Sequence, residues 1–96
     1  MDVTNDTEHH RFLVRLPGGE GELIYRQIAP HTLELIHTRV DPALRGHGVA
    51  EVLAVTAIAY AREHGLHIVP TCAYVQRWLD KHPEHKDLVV ARADAD

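Results

Sequence analysis

The sequence predicts a mixed α/β (α+β) domain: an antiparallel meander of three strands, a crossover helix, a fourth strand parallel to the third, and a short C-terminal helix. Three observations lead there. Apolar and polar residues alternate from about residue 10 to residue 40, which is strand period. From Gly48 to His64 the apolar residues recur at steps of three and four, which is helix period. The apolar run Leu66 to Val69 then follows Gly65 and stops at Pro70, as a short buried strand does. A chain of 96 residues has room for one domain. At this length somewhat under about two-thirds of the unfolded surface is buried, so one sheet with one or two helices is the ceiling.

Each element has its own signal. Residues 1–9 are polar and read as a disordered N-terminus, leaving a domain over 10–90 and a disordered tail over 91–96. His10 to Leu16 is the first strand, with Phe12, Val14 and Leu16 on one face. Pro17-Gly18-Gly19 is a turn, and Glu22 to Ile28 completes a hairpin. Ala29-Pro30 breaks it. Thr32 to Val40 is the third strand, with Leu33, Leu35 and His37 on one face and Ile36, Thr38 and Val40 on the other. Asp41-Pro42 ends that strand. The helix from Gly48 to His64 carries Val49, Val52, Leu53, Ala57 and Tyr60 on its apolar stripe, and Gly65 suits its C-terminal cap. The crossover is long enough to set the fourth strand parallel to the third. Thr71 offers an N-cap for a second helix through about Lys81, and Pro83 closes it. Leu88-Val89-Val90 is expected to pack back on the core. The chain has no internal repeat, low-complexity tract or linker.

Composition narrows the function. Net charge is −4 and no basic block occurs, which argues against a nucleic-acid partner. The first sixteen residues lack the basic start and apolar core of a signal peptide. The longest apolar stretch, Val49 to Ala61, is interrupted by Glu51 and Thr56 and is too short for a bilayer. A lone cysteine, Cys72, forms no internal disulfide, so a reducing cytoplasm is the simplest address. A monomer or weak oligomer is expected. Nine histidines invite a metal reading, but no cysteine pair and no H-E-x-x-H accompanies them, so no metal is expected.

The chemistry concentrates in Leu44-Arg45-Gly46-His47-Gly48-Val49-Ala50, where the third strand passes into the long helix. A helix N-terminus presents unpaired backbone N–H groups and the positive end of the dipole. Gly46, Gly48 and Ala50 leave the approach open, and Arg45 adds a fixed positive charge. The segment reads as a phosphate or diphosphate site; a plain helix start after a glycine-rich turn is the blander reading. It lacks the Gly-Lys-Ser/Thr of a Walker loop, and Glu51 stands where a dinucleotide fingerprint needs glycine.

Arg45-x-x-Gly48-x-Ala50 resembles the Q/R-x-x-G-x-G/A signature of the GNAT superfamily of amine N-acetyltransferases. The longer run Val40 to Ala50, followed by Ala61-Arg62-Glu63-His64-Gly65, Ile68-Val69-Pro70-Thr71-Cys72 and His82-Pro83-Glu84-His85, resembles its minimal stand-alone branch. The resemblance covers about residues 10–90 and implies a GNAT-like core with acetyl-CoA as co-substrate and an unidentified amine acceptor, on a small molecule or a protein. It implies that the pantetheine arm pairs with Thr38, Arg39 and Val40 in a gap beside the third strand. The pyrophosphate would lie on the amides of Arg45, Gly46, His47, Gly48, Val49 and Ala50. The thioester would fall between the third strand and the region after the fourth, where His37 and Cys72 stand.

Acetyl transfer needs a neutral amine and a protonated leaving thiolate. An imidazole is a suitable base at neutral pH, which makes His37 the candidate, with simple core packing as its alternative. Cys72 is an acyl carrier, a proton donor or a buried filler. The resemblance makes Tyr74 a further candidate acid, since many superfamily members use a tyrosine, with a stacking or core role as its alternative, and places it among the cofactor-binding residues. Lys81 and His82 either reach nucleotide phosphates or end a solvated helix. The chain as given has no N-terminal helix pair and no C-terminal hairpin, the usual walls of the acceptor pocket. A non-catalytic coenzyme A-binding module and a histidine-rich metal binder are the competing functions.

Overall fold

The alternation over residues 10–40 becomes a set of antiparallel strands in the computed structural model, which describes all of residues 1–96. A short strand β1 (Thr4–Asp6) precedes β2 (Arg11–Leu16), β3 (Gly19–Ala29) and β4 (Thr32–Val40), and each pairs antiparallel with the next. Helix α1 (Val49–Glu63) crosses the sheet and delivers β5 (His67–Pro70) parallel to β4. Helix α2 (Ala73–Asp80) follows, then a tight helical stretch over Pro83–Leu88. Val89 bridges to Ile68 and the Val90 N–H donates to the Ile68 carbonyl at 2.9 Å, so this segment does return to the core.

One face of the sheet carries the core. Phe12, Val14, Leu23, Leu33 and Leu35 meet Leu53, Ala54, Ala57, Ile58 and Ala61 of α1 and Val75 and Leu79 of α2. The alanines of α1 let its backbone approach the sheet closely. Its C-terminus closes as the glycine predicts. Gly65 has φ +65°, the Leu66 N–H donates to the Ala61 carbonyl at 2.8 Å, and the Gly65 N–H donates to that of Arg62 at 3.4 Å, the two bonds of a Schellman cap. On the opposite face a ladder of alternating charge crosses four strands: Asp6, Arg11, Glu22 and Arg39, reaching Asp41 just past β4.

The structure departs from the expected elements in four places. Residues 1–9 hold a strand and a short turn, fixed by polar contacts that alternation cannot reveal. The Asp6 carboxylate takes the Arg11 Nε–H at 3.0 Å, and the Tyr25 hydroxyl donates to Asn5 Oδ1 at 2.6 Å. In the tail, Arg92–Asp94 form a turn, and the Asp96 carbonyl accepts from the His31 N–H at 2.7 Å and the Thr32 hydroxyl at 3.0 Å. Thr71 does not cap α2: Cys72 holds that position without a side-chain bond, and the Thr71 hydroxyl donates to Glu34 instead. Finally, a bulge interrupts β4. Ile24 pairs with His37 but Tyr25 pairs with Leu35, so Ile36 is an extra residue. Every side chain beyond it changes face. Thr38 and Val40 join Leu33 and Leu35 on the core side, and His37 and Arg39 turn to the charged side.

Candidate functional site

The site begins where β4 and β5 part. Their parallel pairing ends at Leu35 with Pro70, whose nitrogen carries no proton to continue a ladder. The Cys72 N–H then donates to the Leu35 carbonyl at 2.8 Å, and the chain leaves the sheet as α2. From Ile36 to Val40 the outer edge of β4 therefore has no partner strand.

The loop at the end of that edge is built to leave its amides free. Asp41 accepts from the Glu20 N–H at 2.8 Å and pairs with Arg39, which anchors the loop; that N–H first, then Arg39, holds its carboxyl below the usual range. Pro42–Leu44 form one tight turn, with Leu44 plugged into the core. Gly46 (φ +82°) and Gly48 (φ +78°) then take left-handed backbone that side chains disfavour. The Arg45 and His47 amides are consumed inside the turn, donating to Pro42 and Leu44. The amides of Gly46, Gly48, Val49, Ala50 and Glu51 find no acceptor in the chain. A Cβ at Gly46 or Gly48 would meet nothing within 4 Å, so the space above the loop is open. Arg45 donates to the Val40 carbonyl at 3.3 Å and pairs with no carboxylate.

Edge, loop and α2 enclose one cleft. A groove of about 600 Å³ is lined by His37, Thr38, Arg39, Val40, Arg45, Ala50, Tyr74 and Arg77. A smaller recess of about 180 Å³ adjoins it, with Gly46, Gly48, Val49 and Glu51 on its wall. No carboxylate lines the larger groove. Burial first, then the neighbouring Glu51, pushes the Tyr74 phenol above its ordinary range.

Ten of the residues singled out in the sequence thus share the cleft: His37, Thr38, Arg39, Val40, Arg45, Gly46, Gly48, Val49, Ala50 and Tyr74. Four do not line it, one of them His82, which stacks on Trp78 in a separate pocket beside α1. His47 is exposed on the loop and its amide is already used. Lys81 caps the far end of α2, about two turns from Tyr74. Cys72 is 3% exposed and lies behind the cleft wall, its sulfur 3.2 Å from the Thr38 hydroxyl. Arg39 faces the cleft with its charge already engaged by Glu22 and Asp41. Arg77 is an unanticipated member; its spacing of three from Tyr74 on a helix was the available signal. No three His, Cys, Asp or Glu side chains converge to hold a metal ion, and no helix is long and apolar enough to cross a membrane.

Residues 11–88 match the family model described as GCN5-related N-acetyl-transferase. Protein NATD1 of Xenopus tropicalis is 35% identical over 83 residues, covering 84% of this chain and 76% of its own. Protein NATD1 of Homo sapiens is 34% identical over 83 residues, covering 84% of this chain and 74% of its own. An NMR solution structure of a GCN5-like protein from Staphylococcus aureus superposes with a TM-score of 0.72, covering 94% of this chain and 88% of that one at 23% identity, a likeness of fold.

Proposed function

Because this chain belongs to the GCN5-related N-acetyltransferase family, we propose that it transfers the acetyl group of acetyl-CoA to an amine of a small molecule or a protein. One observation carries the reading: five unpartnered amides, at Gly46, Gly48, Val49, Ala50 and Glu51, open onto the same cleft as an unpartnered strand edge, Ile36 to Val40. The first set suits a diphosphate. The second suits an extended amide-bearing arm, which adds to a strand edge through backbone hydrogen bonds. Acetyl-CoA contains both, and supplies an acetyl group activated as a thioester.

The protein's residues then divide the work. Gly46 and Gly48 to Glu51 hold the diphosphate, with Arg45 and Arg77 as uncommitted positive charges. The Val40 carbonyl keeps Arg45 turned toward the loop. His37, exposed beside the arm, accepts the proton of the amine. Tyr74, a phenol protonated at neutral pH, donates to the departing sulfur. Cys72 is too enclosed to carry an acetyl group and supports the site from behind, through Thr38.

Calorimetric titration with acetyl-CoA tests the reading. Wild type is expected to bind, and Gly48→Leu to bind at least about tenfold more weakly, because the side chain strains a left-handed residue and fills the diphosphate space. His37→Ala should keep the affinity and lower transfer by a factor of about 10²–10⁴. A wild-type protein that ignores acetyl-CoA would remove the basis of the proposal.

A further inference from the structure

The largest anomaly outside the cleft is Glu34. It is the third residue of β4, with 1% of its surface exposed, where carboxylates are rare. An ionised carboxylate so placed is unfavourable unless paired. Its Oε2 accepts from the Thr71 hydroxyl at 2.5 Å and from the Arg92 guanidinium. Its Oε1 has no hydrogen-bond donor; Arg26, across the strand pair, stands 3.6 Å away. Glu34 is covered from beyond α2, by the segment that carries Arg92 and ends with Asp96 clipped to Thr32.

Thr71 is the residue at which the cofactor gap opens. Continued pairing of β5 would set Thr71 beside Ile36, one step past Leu35 and Pro70. Instead its hydroxyl is drawn back to Glu34, and the next amide, Cys72, is spent on Leu35. The chain cannot then follow β4 along Ile36 to Val40. An apolar residue at position 34 would fill the same space at no electrostatic penalty; the carboxylate adds a fixed point for one hydroxyl.

We infer that Glu34 is a positioning residue: with Arg92 as its counter-charge, it holds the Pro70–Cys72 junction away from β4 and keeps the acetyl-CoA gap open. The inference rests on the acetyl-CoA reading of that gap.

The test compares Thr71→Val, Thr71→Ser and Arg92→Ala in the full chain by acetyl-CoA calorimetry and residue-resolved amide hydrogen exchange. Thr71→Val, which keeps the shape and removes the hydroxyl, should raise the acetyl-CoA Kd about tenfold, the scale of one hydrogen bond to a charged group. It should also speed exchange at the Cys72 amide by at least about tenfold while Leu23, in the core of β3, exchanges as before. Thr71→Ser should stay within about twofold on both readouts, and Arg92→Ala should move both in the direction of valine. Wild-type affinity and exchange in Thr71→Val would overturn the inference, as would exchange that rises equally at Leu23 and Cys72. If wild type binds no acetyl-CoA, the cofactor reading fails, and unchanged Cys72 exchange then separately disproves the hold on the junction.

Discussion

Gly21 sits on β3 with its backbone in an ordinary region, yet a Cβ there would lie 2.5 Å from Val49 Cγ1. Valine cannot swing aside, because branching at Cβ restricts its rotamers. Val49 is also the first residue of α1 and one of the open amides, so the packing at Gly21 sets where the Arg45–Gly48 loop meets the sheet. Gly21→Ala should therefore lower stability by about 1–3 kcal/mol, as overpacked cores do. Urea unfolding measures this, and an unchanged midpoint would show that the loop yields instead. Nothing in the sequence marks this glycine apart from Gly19, since the partner of its missing side chain is 28 residues away. By contrast Gly46 and Gly48 stand out in the sequence as a run of small residues before a helix, and both take left-handed backbone in the structure.

At the scale of elements, the meander, the crossover helix and the parallel strand were legible because each rests on local periodicity and a nearby breaker. Observed β4 ends where Asp41-Pro42 predicts, and α1 stops at Gly65. The cap at Gly65 makes a direct prediction: Gly65→Ala leaves open space around the new Cβ but keeps φ at +65°, so it should cost about 1–2 kcal/mol through backbone strain alone. Thermal melts would detect a fall of that size; no fall would mean that the helix end rearranges freely. What stayed hidden was the bulge. The adjacent pair Leu35-Ile36 is its only trace, and two apolar neighbours in a strand have several meanings. Its effect on the site is large, because without it His37 would point into the core and Thr38 away from Cys72. The role of Thr71 was also invisible, since Glu34 is distant in sequence and a threonine before a helix ordinarily caps it.

For the molecule as a whole, carboxylates dominate the response to acid. Asp6 is held below its usual 3.8 chiefly by Arg11, and Asp41 by the Glu20 N–H and Arg39. Burial raises Glu22, but Arg11 and Arg39 more than offset it and leave it below 4.5. Glu34 is likewise lowered, first by Thr71 and then, against its burial, by Arg92. All four bind protons more weakly folded than unfolded, so their contribution is complete above about pH 5 and is lost as the pH falls below about 4 through the folded values. Unfolding midpoints should be level from neutrality to about pH 5 and drop steeply below it, and added salt should weaken the part due to the surface ladder. A midpoint that rises on acidification would contradict this assignment. The ladder also distinguishes the two sides of the sheet: one carries the apolar core, the other is tied together by opposite charges.

The bare margin of β4 has a consequence for solubility. Unsatisfied backbone along a sheet border normally recruits other chains and seeds fibrils. Here that border looks across a trench at the opening turns of α2, so a slender, flexible visitor can lie along it while a neighbouring molecule's sheet is kept off by the helix. The other borders are short: β1 is three residues long, β2 runs three residues, Val14–Leu16, past its pairing with β1, and the four-residue β5 is bridged by Val89 at Ile68. A small protein can in this way carry an adhesive stripe inside a cleft without offering it to its own kind.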